Sequence, residues 1–441
     1  MRVPGSVGTA GRAGDTPQPS AVTTVARDMN GSLDAGTEPR PKVNTHVHLP
    51  PNFSAFETVG ETVAAASAQG VAVIGSSNYH DFNVYREFGE AAGRAGILPL
   101  FGVEIIAMID ELEAAGTLVN DPGNPGRTYL CGKGLAGFDS PNSVATGLMA
   151  KMRGASEQRM RQMTARMEER CAAAGLHTGL TDEAIAADVA ERASVPAVWV
   201  SLQERHVARA FQEAIFRSLP AAARPGFFER LYGGPSNTGI DDAVAVQEEI
   251  RSKLMKAGKA AFVPEASVSF DDARRLILEL GGIPCYPTLA DGATPICAFE
   301  DPPEALAERL LERNVYVAEL IPGRNSRNVV DKYVEAFRRA GIVVMAGTEH
   351  NTPRMIPLPP ACLGGEPFSE SAGQAFWEGT CIVVAHQHLV ASGQPGYVDR
   401  EGRLAGDFPD SSARRSWFAE LGASLIGAAS SSRGAAAGVQ S

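Results

Sequence analysis

The stretch that decides the fold is KVNTHVHLPPNFSAFETVGETVAAASAQGVAVIGSSN, residues 42–78. Its apolar pattern predicts a strand from 42 to 49, a helix that ends at Gly70 and a second, buried strand. The same alternation continues through NVYREFGEAAGRAG and ILPLFGVEII and returns after about residue 265. Regular alternation of strands and helices with short connections predicts a parallel sheet and the α/β class.

Composition divides the chain into four parts. Residues 1–40 are rich in Gly, Ser, Thr, Pro and Ala and have no apolar signal-peptide region, which predicts a disordered tail. Residues 141–262 change to long helical patterns, so we interpret them as a helical insertion into an α/β barrel formed by 41–140 and 263–400. Residues 401–441 are a C-terminal extension whose end is expected to be disordered.

Charge and cysteine usage narrow the class of partner. The 441 residues carry a formal net charge of −11, which argues against nucleic acid as a partner. No apolar run approaches the roughly 18 residues of a membrane helix, so no membrane partner is expected. The six cysteines form no CxxC pair, which suits reduced thiols in a cytoplasmic protein. The sequence does not indicate an oligomeric state.

Histidines and acids collect at the ends of predicted strands, where parallel barrels place functional side chains. His46 and His48 lie two apart on a strand and therefore face the same side. Alone, such a pair is more often structural than metal-binding. Glu104 and Glu349 end two later strands, and imidazoles with carboxylates are ligands for Zn²⁺ or Mn²⁺. These four residues predict a metal site that could bind and acidify a water.

The ordered motifs HVHLP, SNYHDF, GILPLFGVEI, ERHVARAF, LGGIPCYP and AGTEHN resemble those of the polymerase and histidinol phosphatase (PHP) family over about residues 42–355. The resemblance implies a distorted (β/α)7 TIM-like barrel and hydrolysis of phosphoesters with two or three Mn²⁺, Zn²⁺ or Fe ions. It maps the family's metal ligands onto His46, His48, Glu104 and Glu349, and a further histidine onto His80.

Other family ligand positions have changed in this chain. The residues at or near those positions are Ala55, Tyr79, Arg127, Tyr286 and Asn351. Their loss implies one divalent ion, Mn²⁺, Zn²⁺ or Fe, in place of three. Arg127 would supply positive charge where a second ion normally lies, since a guanidinium pairs well with oxyanions.

The predicted catalytic groups are His80, His350 and Glu349, the histidines acting as general acid or base because their ordinary pKa is near neutral. The ligand is expected to be a small anionic molecule. The residues predicted to bind it are Arg127, Arg205, His206, Tyr286, Arg324 and Arg327.

Two of the segments that contain these arginines also have a recognisable local sequence pattern. Ser201 and Glu204 form a predicted capping box that starts a helix near residue 202, and the resemblance places the Arg-x-His stretch of this helix near the substrate phosphate. An exposed basic helix face is the alternative. IPGRNSRN, residues 321–328, is predicted to be a loop suited to an anionic ligand. CIVVAHQHLV is predicted to be a last strand, on which His386 and His388 are either core residues or ligands.

Three functions agree with these patterns. The first is a metal-dependent hydrolase that attacks a phosphate monoester with metal-activated water. The second keeps a mononuclear metal but acts on a lactone, amide or C–C bond of a sugar-like acid. The third is a PHP-type module that binds metal or ligand without catalysis.

Overall fold

A computed structural model describes residues 40–265 and 268–437. The predicted tail, residues 1–40, lies outside the described residues except for Arg40, as do residues 438–441 of the predicted extension. The strands within the described ranges are β1 (Lys42–Val47), β2 (Val71–Ser76), β3 (Leu98–Leu100), β4 (Gly102–Met108), β5 (Arg127–Lys133), β6 (Val268–Ser269), β7 (Ile283–Thr288), β8 (Val317–Leu320) and β9 (Val343–Ala346).

The helices alternate with these strands at both ends of the chain and follow one another without a strand in the middle. They are α1 (Val59–Ala68), α2 (Tyr85–Arg94), α3 (Asp110–Ala114), α4 (Ser143–Ala173), α5 (Asp182–Ala193), α6 (Glu204–Ser218), α7 (Arg224–Tyr232), α8 (Ala243–Ile250), α9 (Phe270–Glu279), α10 (Pro303–Glu312), α11 (Arg327–Ala340), α12 (Glu370–Ala391) and α13 (Ser411–Ala437).

Local sequence explains the first strand, helix, strand unit. Thr58 caps α1, since its hydroxyl accepts the backbone N–H of Glu61 at 3.1 Å. Gly70 follows the helix at a φ of +71°, a left-handed conformation that glycine adopts without strain. The chain can then return as β2 alongside β1.

The strands form two sheets. One contains three parallel strands in the order β1, β2, β3, and the other contains six in the order β6, β4, β5, β7, β8, β9. The α/β class is therefore confirmed. The six-stranded sheet is mixed, because β5 runs antiparallel to both β4 and β7 while the remaining pairs are parallel.

Two isolated bridges connect the sheets. Val47, at the end of β1, pairs with Glu349 after β9, and Tyr79, after β2, pairs with Glu104 on β4. The backbone N–H of Glu349 also donates to the His46 carbonyl at 2.8 Å. These bridges bring the ends of β1 and β2 next to β4 and β9, which is where the predicted site residues lie.

The helices α4 to α8 share an apolar cluster of their own. It is formed by buried side chains that include Met160, Met163, Met167, Phe211 and Phe228. A separate cluster lies between the six-stranded sheet and α9 to α12. Each fully buried apolar side chain of this size contributes about 1.5–3 kcal/mol to folding.

Two local predictions were wrong. CIVVAHQHLV is part of helix α12, because the apolar run is continued N-terminally by helix-forming residues from Glu370 onward. His386 is a packing residue there: its Nε2 lies 3.1 Å from the Gly281 carbonyl, and its Nδ1 accepts the Tyr397 N–H. Helix α6 starts at Glu204, with Gln203 and not Ser201 as its cap.

Candidate metal centre

His46 and His48 converge as the alternation of a strand requires. Both side chains are fully buried, and their Nε2 atoms lie 3.4 Å apart. At this distance the two nitrogens either share one hydrogen bond or face a common positive partner, and the carboxylate beside them bears on that choice. The two histidines therefore lie on one face of the strand, as the sequence predicts.

Glu104 completes a group of three. Its Oε2 lies 3.2 Å from Nε2 of His48 and 3.8 Å from Nε2 of His46. The three ligand atoms are all within 4.8 Å of one another. Among the described residues, neither Glu104 Oε2 nor His48 Nδ1 has a hydrogen-bond partner, although both are buried. An unsatisfied buried carboxylate oxygen is costly, and Glu104 Oε2 together with the two imidazole Nε2 atoms fits a divalent ion.

Glu319 on β8 orients His46 from behind. Its Oε2 lies 2.7 Å from His46 Nδ1 and 2.9 Å from Lys133 Nζ, while Oε1 accepts the Thr45 hydroxyl at 2.6 Å. With a carboxylate at Nδ1, the imidazole carries its proton there and turns the Nε2 lone pair toward Glu104. Burial raises the pKa of Glu319, but Lys133 and His46 outweigh it and bring the pKa to about 2.

A second possible set of metal ligands consists of His46, Cys131 and Glu319. The Cys131 thiol lies near His46 and Glu319. The Lys133 ammonium already forms an ion pair with the Glu319 carboxylate, and burial holds the pKa of the Cys131 thiol well above its ordinary value. The neutral thiol and the paired carboxylate make this the poorer metal site of the two.

Glu349, predicted as the fourth ligand, is held by other partners. Its Oε1 accepts Arg324 Nη1 at 2.9 Å, Arg324 Nη2 contacts Oε2, and Asn351 Nδ2 donates to Oε2 at 2.6 Å. Glu349 and His350 adopt left-handed φ values of 64° and 47°, which direct this turn after β9. The structure therefore places Glu349 beside the group but not in it, and its role as a ligand stays a prediction.

The two predicted catalytic histidines differ in their surroundings. His350 Nδ1 lies 2.6 Å from the Thr348 hydroxyl and Nε2 lies 3.0 Å from the Ile356 carbonyl, so both nitrogens are engaged. Its acid or base role stays a prediction that needs these contacts to open. His80 lines a cavity, and burial lowers its pKa to about 4.

Two adjoining cavities open beside the metal group. The larger, of about 520 Å³, is lined by Glu104, Arg324 and Glu349. The smaller, of about 110 Å³, is lined by His48 and His80. The two share a set of lining side chains, namely Tyr79, Arg127, Tyr129, Glu204, Arg205, Arg251, Lys256 and Asn351. The combined volume suits a small-molecule ligand.

Of the predicted anion-binding residues, Arg127 and Arg205 line both cavities, and Arg324 lines the larger one. Arg127 is paired with Asp121 at 3.1 Å and with Glu265 at 2.5 Å. Arg205 is paired with Glu248.

The other three predicted contacts point elsewhere. Tyr286 donates to Glu300 at 3.0 Å in the interior, and Arg327 pairs with Glu366 at 3.5 Å away from the cavities. His206 Nδ1 accepts the Gln203 N–H at 3.0 Å and so caps α6. Burial lowers the pKa of His206 to about 3, which keeps this acceptor neutral.

Sequence reasoning did not assign roles to Tyr79 and Lys133. The Tyr79 ring lies 5.2 Å from the His48 ring, and burial together with Glu104 holds the pKa of Tyr79 well above its ordinary value. Its hydroxyl therefore stays protonated at neutral pH and can donate a hydrogen bond. Lys133 ends strand β5 after the buried residues Leu130 and Cys131, and it requires a carboxylate partner because its ammonium is buried too.

Comparison with known proteins gives no family. No family model matches the chain, and no curated protein matches it. Similar solved structures include a candidate metal-dependent phosphoesterase from Bifidobacterium adolescentis, with 16% identity and a TM-score of 0.49 over 77% of this chain and 96% of that one. Another is an amidohydrolase from Chromobacterium violaceum containing sulfate and no metal, with 18% identity and a TM-score of 0.49 over 76% and 96%.

At this level of similarity, neither structure assigns an activity to the chain. Among the described helices, none has the length and apolar character needed to cross a membrane.

Proposed function

We propose that the chain is a metal-dependent hydrolase on a distorted (β/α)7 barrel of the PHP type, acting on a small anionic molecule. A phosphate monoester is the first candidate substrate. The observation that carries the proposal is the buried group of His46, His48 and Glu104, with ligand atoms within 4.8 Å of one another beside a cavity of about 520 Å³.

Three protein ligands are the number found in catalytic sites that keep an open coordination position. A divalent ion bound there would supply Lewis acidity and lower the pKa of a coordinated water. Glu319 keeps His46 in the tautomer whose Nε2 faces the site. Since Lys133 neutralises Glu319 and Arg324 neutralises Glu349, the neighbouring acids do not add open ligands, which supports a single Mn²⁺, Zn²⁺ or Fe ion.

The remaining groups bind the substrate and move its protons. Arg324 lines the cavity with 41% of its side chain exposed, and its pairing with Glu349 fixes the guanidinium beside Glu104. It can contact an anionic group with donors that Glu349 does not use. His80 is neutral at pH 7 because burial lowers its pKa, so its resting form accepts a proton.

A second candidate keeps the metal and changes the bond. A mononuclear site beside a polar cavity also suits hydrolysis of a lactone or amide, or cleavage of a C–C bond, in a sugar-like acid. The specific observation that favours it is the engagement of Glu349 by Arg324 and Asn351, which leaves one three-residue group for metal. A PHP-type module that binds metal or ligand without catalysis would contain the same three residues, His46, His48 and Glu104.

Metal analysis of the full chain tests the proposal. We expect one tightly bound equivalent of Mn²⁺ or Zn²⁺ in the wild type and loss of binding in His48→Ala and Glu104→Gln. His177→Ala is the matched control, because that side chain is 84% exposed and remote from the site. Absence of metal binding in the wild type, or unchanged binding in His48→Ala, would contradict the proposal.

Activity then separates the candidates. The metal-loaded protein is assayed with phosphate monoesters and with a lactone, amide and aldol panel. Turnover of the monoesters that disappears in Glu104→Gln supports the phosphoesterase. Turnover only in the second panel supports the alternative, and metal binding without turnover of either supports the binding module.

A further inference from the structure

The helical insertion presents four cationic side chains to the cavities. Arg159 comes from α4, Arg205 from α6, and Arg251 and Lys256 from the segment after α8. Three of these, Arg205, Arg251 and Lys256, line both cavities. None of them is adjacent in sequence to the metal group, which comes from the sheets.

The carboxylates near these cations are shared. Glu204 contacts Arg159 at 2.5 Å, Lys256 at 2.7 Å and Arg251 at 3.7 Å. Glu248 pairs with both Arg205 and Arg251. Two carboxylates thus serve four cations at close range.

One further acid lies nearby but is committed elsewhere. Glu265 is 4.0 Å from Arg159 and is bound to Arg127 at 2.5 Å. Five cations line the smaller cavity, and four carboxylates pair with them once Asp121 and Glu248 are counted with Glu204 and Glu265, which leaves one positive charge in excess in a protein whose formal net charge is −11. A local excess of positive charge against the sign of the whole chain indicates a site for an anion.

The surroundings of the cations show that they repel one another. Burial and the nearby Arg251 both lower the pKa of Arg205. Burial, together with Arg251 and Arg127, also lowers the pKa of Lys256 in spite of its pairing with Glu204. Within the described chain, Arg251 Nε is buried without a hydrogen-bond partner. A bound oxyanion would satisfy free donors and relieve the repulsion.

We propose that Arg205, Arg251 and Lys256 form a metal-independent subsite for a compact oxyanion, a phosphate, sulfonate or carboxylate. This subsite lines the larger cavity with Glu104 and the smaller one with His48, although it comes from a different part of the chain. The ligand that spans them carries two anionic groups, one beside Glu104 and Arg324 and one on the insertion. That last step rests on the proposed function, whereas the subsite itself does not.

Binding of inorganic phosphate to the full chain, measured by calorimetry with metal loaded and after EDTA treatment, tests the subsite. We expect the wild type to bind phosphate in both states. The double variant Arg251→Met/Lys256→Met should bind at least tenfold more weakly, and His48→Ala should bind as the wild type does after EDTA treatment. Sulfate and acetate, titrated in parallel, distinguish the kind of oxyanion.

Lys253→Met is the matched control, since Lys253 lies in the same segment but pairs with Glu249 at 3.0 Å and lines neither cavity. Arg205→Met is a second variant that does not remove partners of Glu204. Equal circular dichroism and metal content show that the variants fold.

Phosphate affinity unchanged in both the double variant and Arg205→Met would overturn the inference. Phosphate binding that requires metal and disappears in His48→Ala would also overturn it. A wild type that binds phosphate but no metal contradicts the proposed function and leaves the subsite supported.

A ligand with two anionic groups is tested with 3-phosphonopropionate. With metal loaded, it should bind more tightly than phosphate, and the double variant should lose that advantage. Equal affinities in the wild type would contradict a ligand with two anionic groups.

Discussion

Glu319 is a buried carboxylate on which both a lysine and a candidate ligand depend. Replacing it by Gln leaves the Lys133 ammonium, 2% exposed, without its carboxylate and puts a neutral amide in place of the charged acceptor at His46 Nδ1. We expect Glu319→Gln to cost about 3–5 kcal/mol of unfolding free energy. Metal affinity should fall by about 10–100-fold. Urea unfolding and metal titration measure the two effects.

The depressed pKa of Glu319 gives the same variant a pH signature. Because the folded pKa of about 2 lies below the ordinary 4.5, the stabilisation is present above pH 4.5 and is lost as the pH falls toward 2. Glu319→Gln should therefore lose less stability over that range than the wild type. Glu335→Gln, at an exposed pair with Arg339, is the control. Parallel acid limbs in Glu319→Gln and wild type would refute the assignment.

Single residues show what the sequence could and could not predict. His46 and His48 were recognisable because strand alternation alone places both on one face. The pairing of Lys133 with Glu319 joins positions far apart in the chain, so no local pattern contains it. His206 and Tyr286 were predicted to bind the ligand and lie outside the two cavities beside the metal group, since residue type does not tell whether a polar group turns to a ligand site, to a helix cap or to an interior carboxylate.

At the scale of elements, the packing of α12 against α13 depends on one glycine. A Cβ on Gly422 would lie 1.9 Å from the Cys381 carbonyl oxygen, so the helices approach backbone to backbone. Gly422→Ala should destabilise the protein by about 1–3 kcal/mol, as other overpacked sites do. Gly427→Ala, in the same helix with no atom within 4 Å of the new Cβ, should stabilise it by about 0.5–1 kcal/mol.

Thermal unfolding of the two glycine variants measures this contrast. A Gly422→Ala protein as stable as Gly427→Ala would show that the helices do not pack this closely.

The pairing of the strands could be predicted only in part from the sequence. The parallel strands β1 to β3 and β7 to β9 follow from helices that cross between them. The antiparallel pairing of β5 does not, because the segment between β4 and β5 contains only the short helix α3 and a turn-rich loop. The apolar run in α12 was misread since a short buried run has no period that separates strand from helix.

In the whole molecule, the candidate ligands come from both sheets. His46 and His48 lie on or just after β1 of the three-stranded sheet, and Glu104 lies on β4 of the six-stranded sheet. Because only the folded chain brings these ligands together, a divalent ion binds the folded state and stabilises it. At 100 times its dissociation constant, the ion should raise the unfolding free energy by about 2.7 kcal/mol. The wild type should melt at a higher temperature with Mn²⁺ or Zn²⁺ than with EDTA, and His48→Ala should melt equally in both. A metal shift retained in His48→Ala would place the ion elsewhere.

The bridges between Val47 and Glu349 and between Tyr79 and Glu104 are single pairs, in contrast to the continuous ladders within each sheet. An ion held by β1 and β4 would span this seam as a crosslink, and its ligands would move apart only when the seam opens. Ion exchange would then be slow and limited by that opening, at a rate set by the two bridges and by the contacts of Thr45 and His46 with Glu319, and not by the strength of the metal bonds alone.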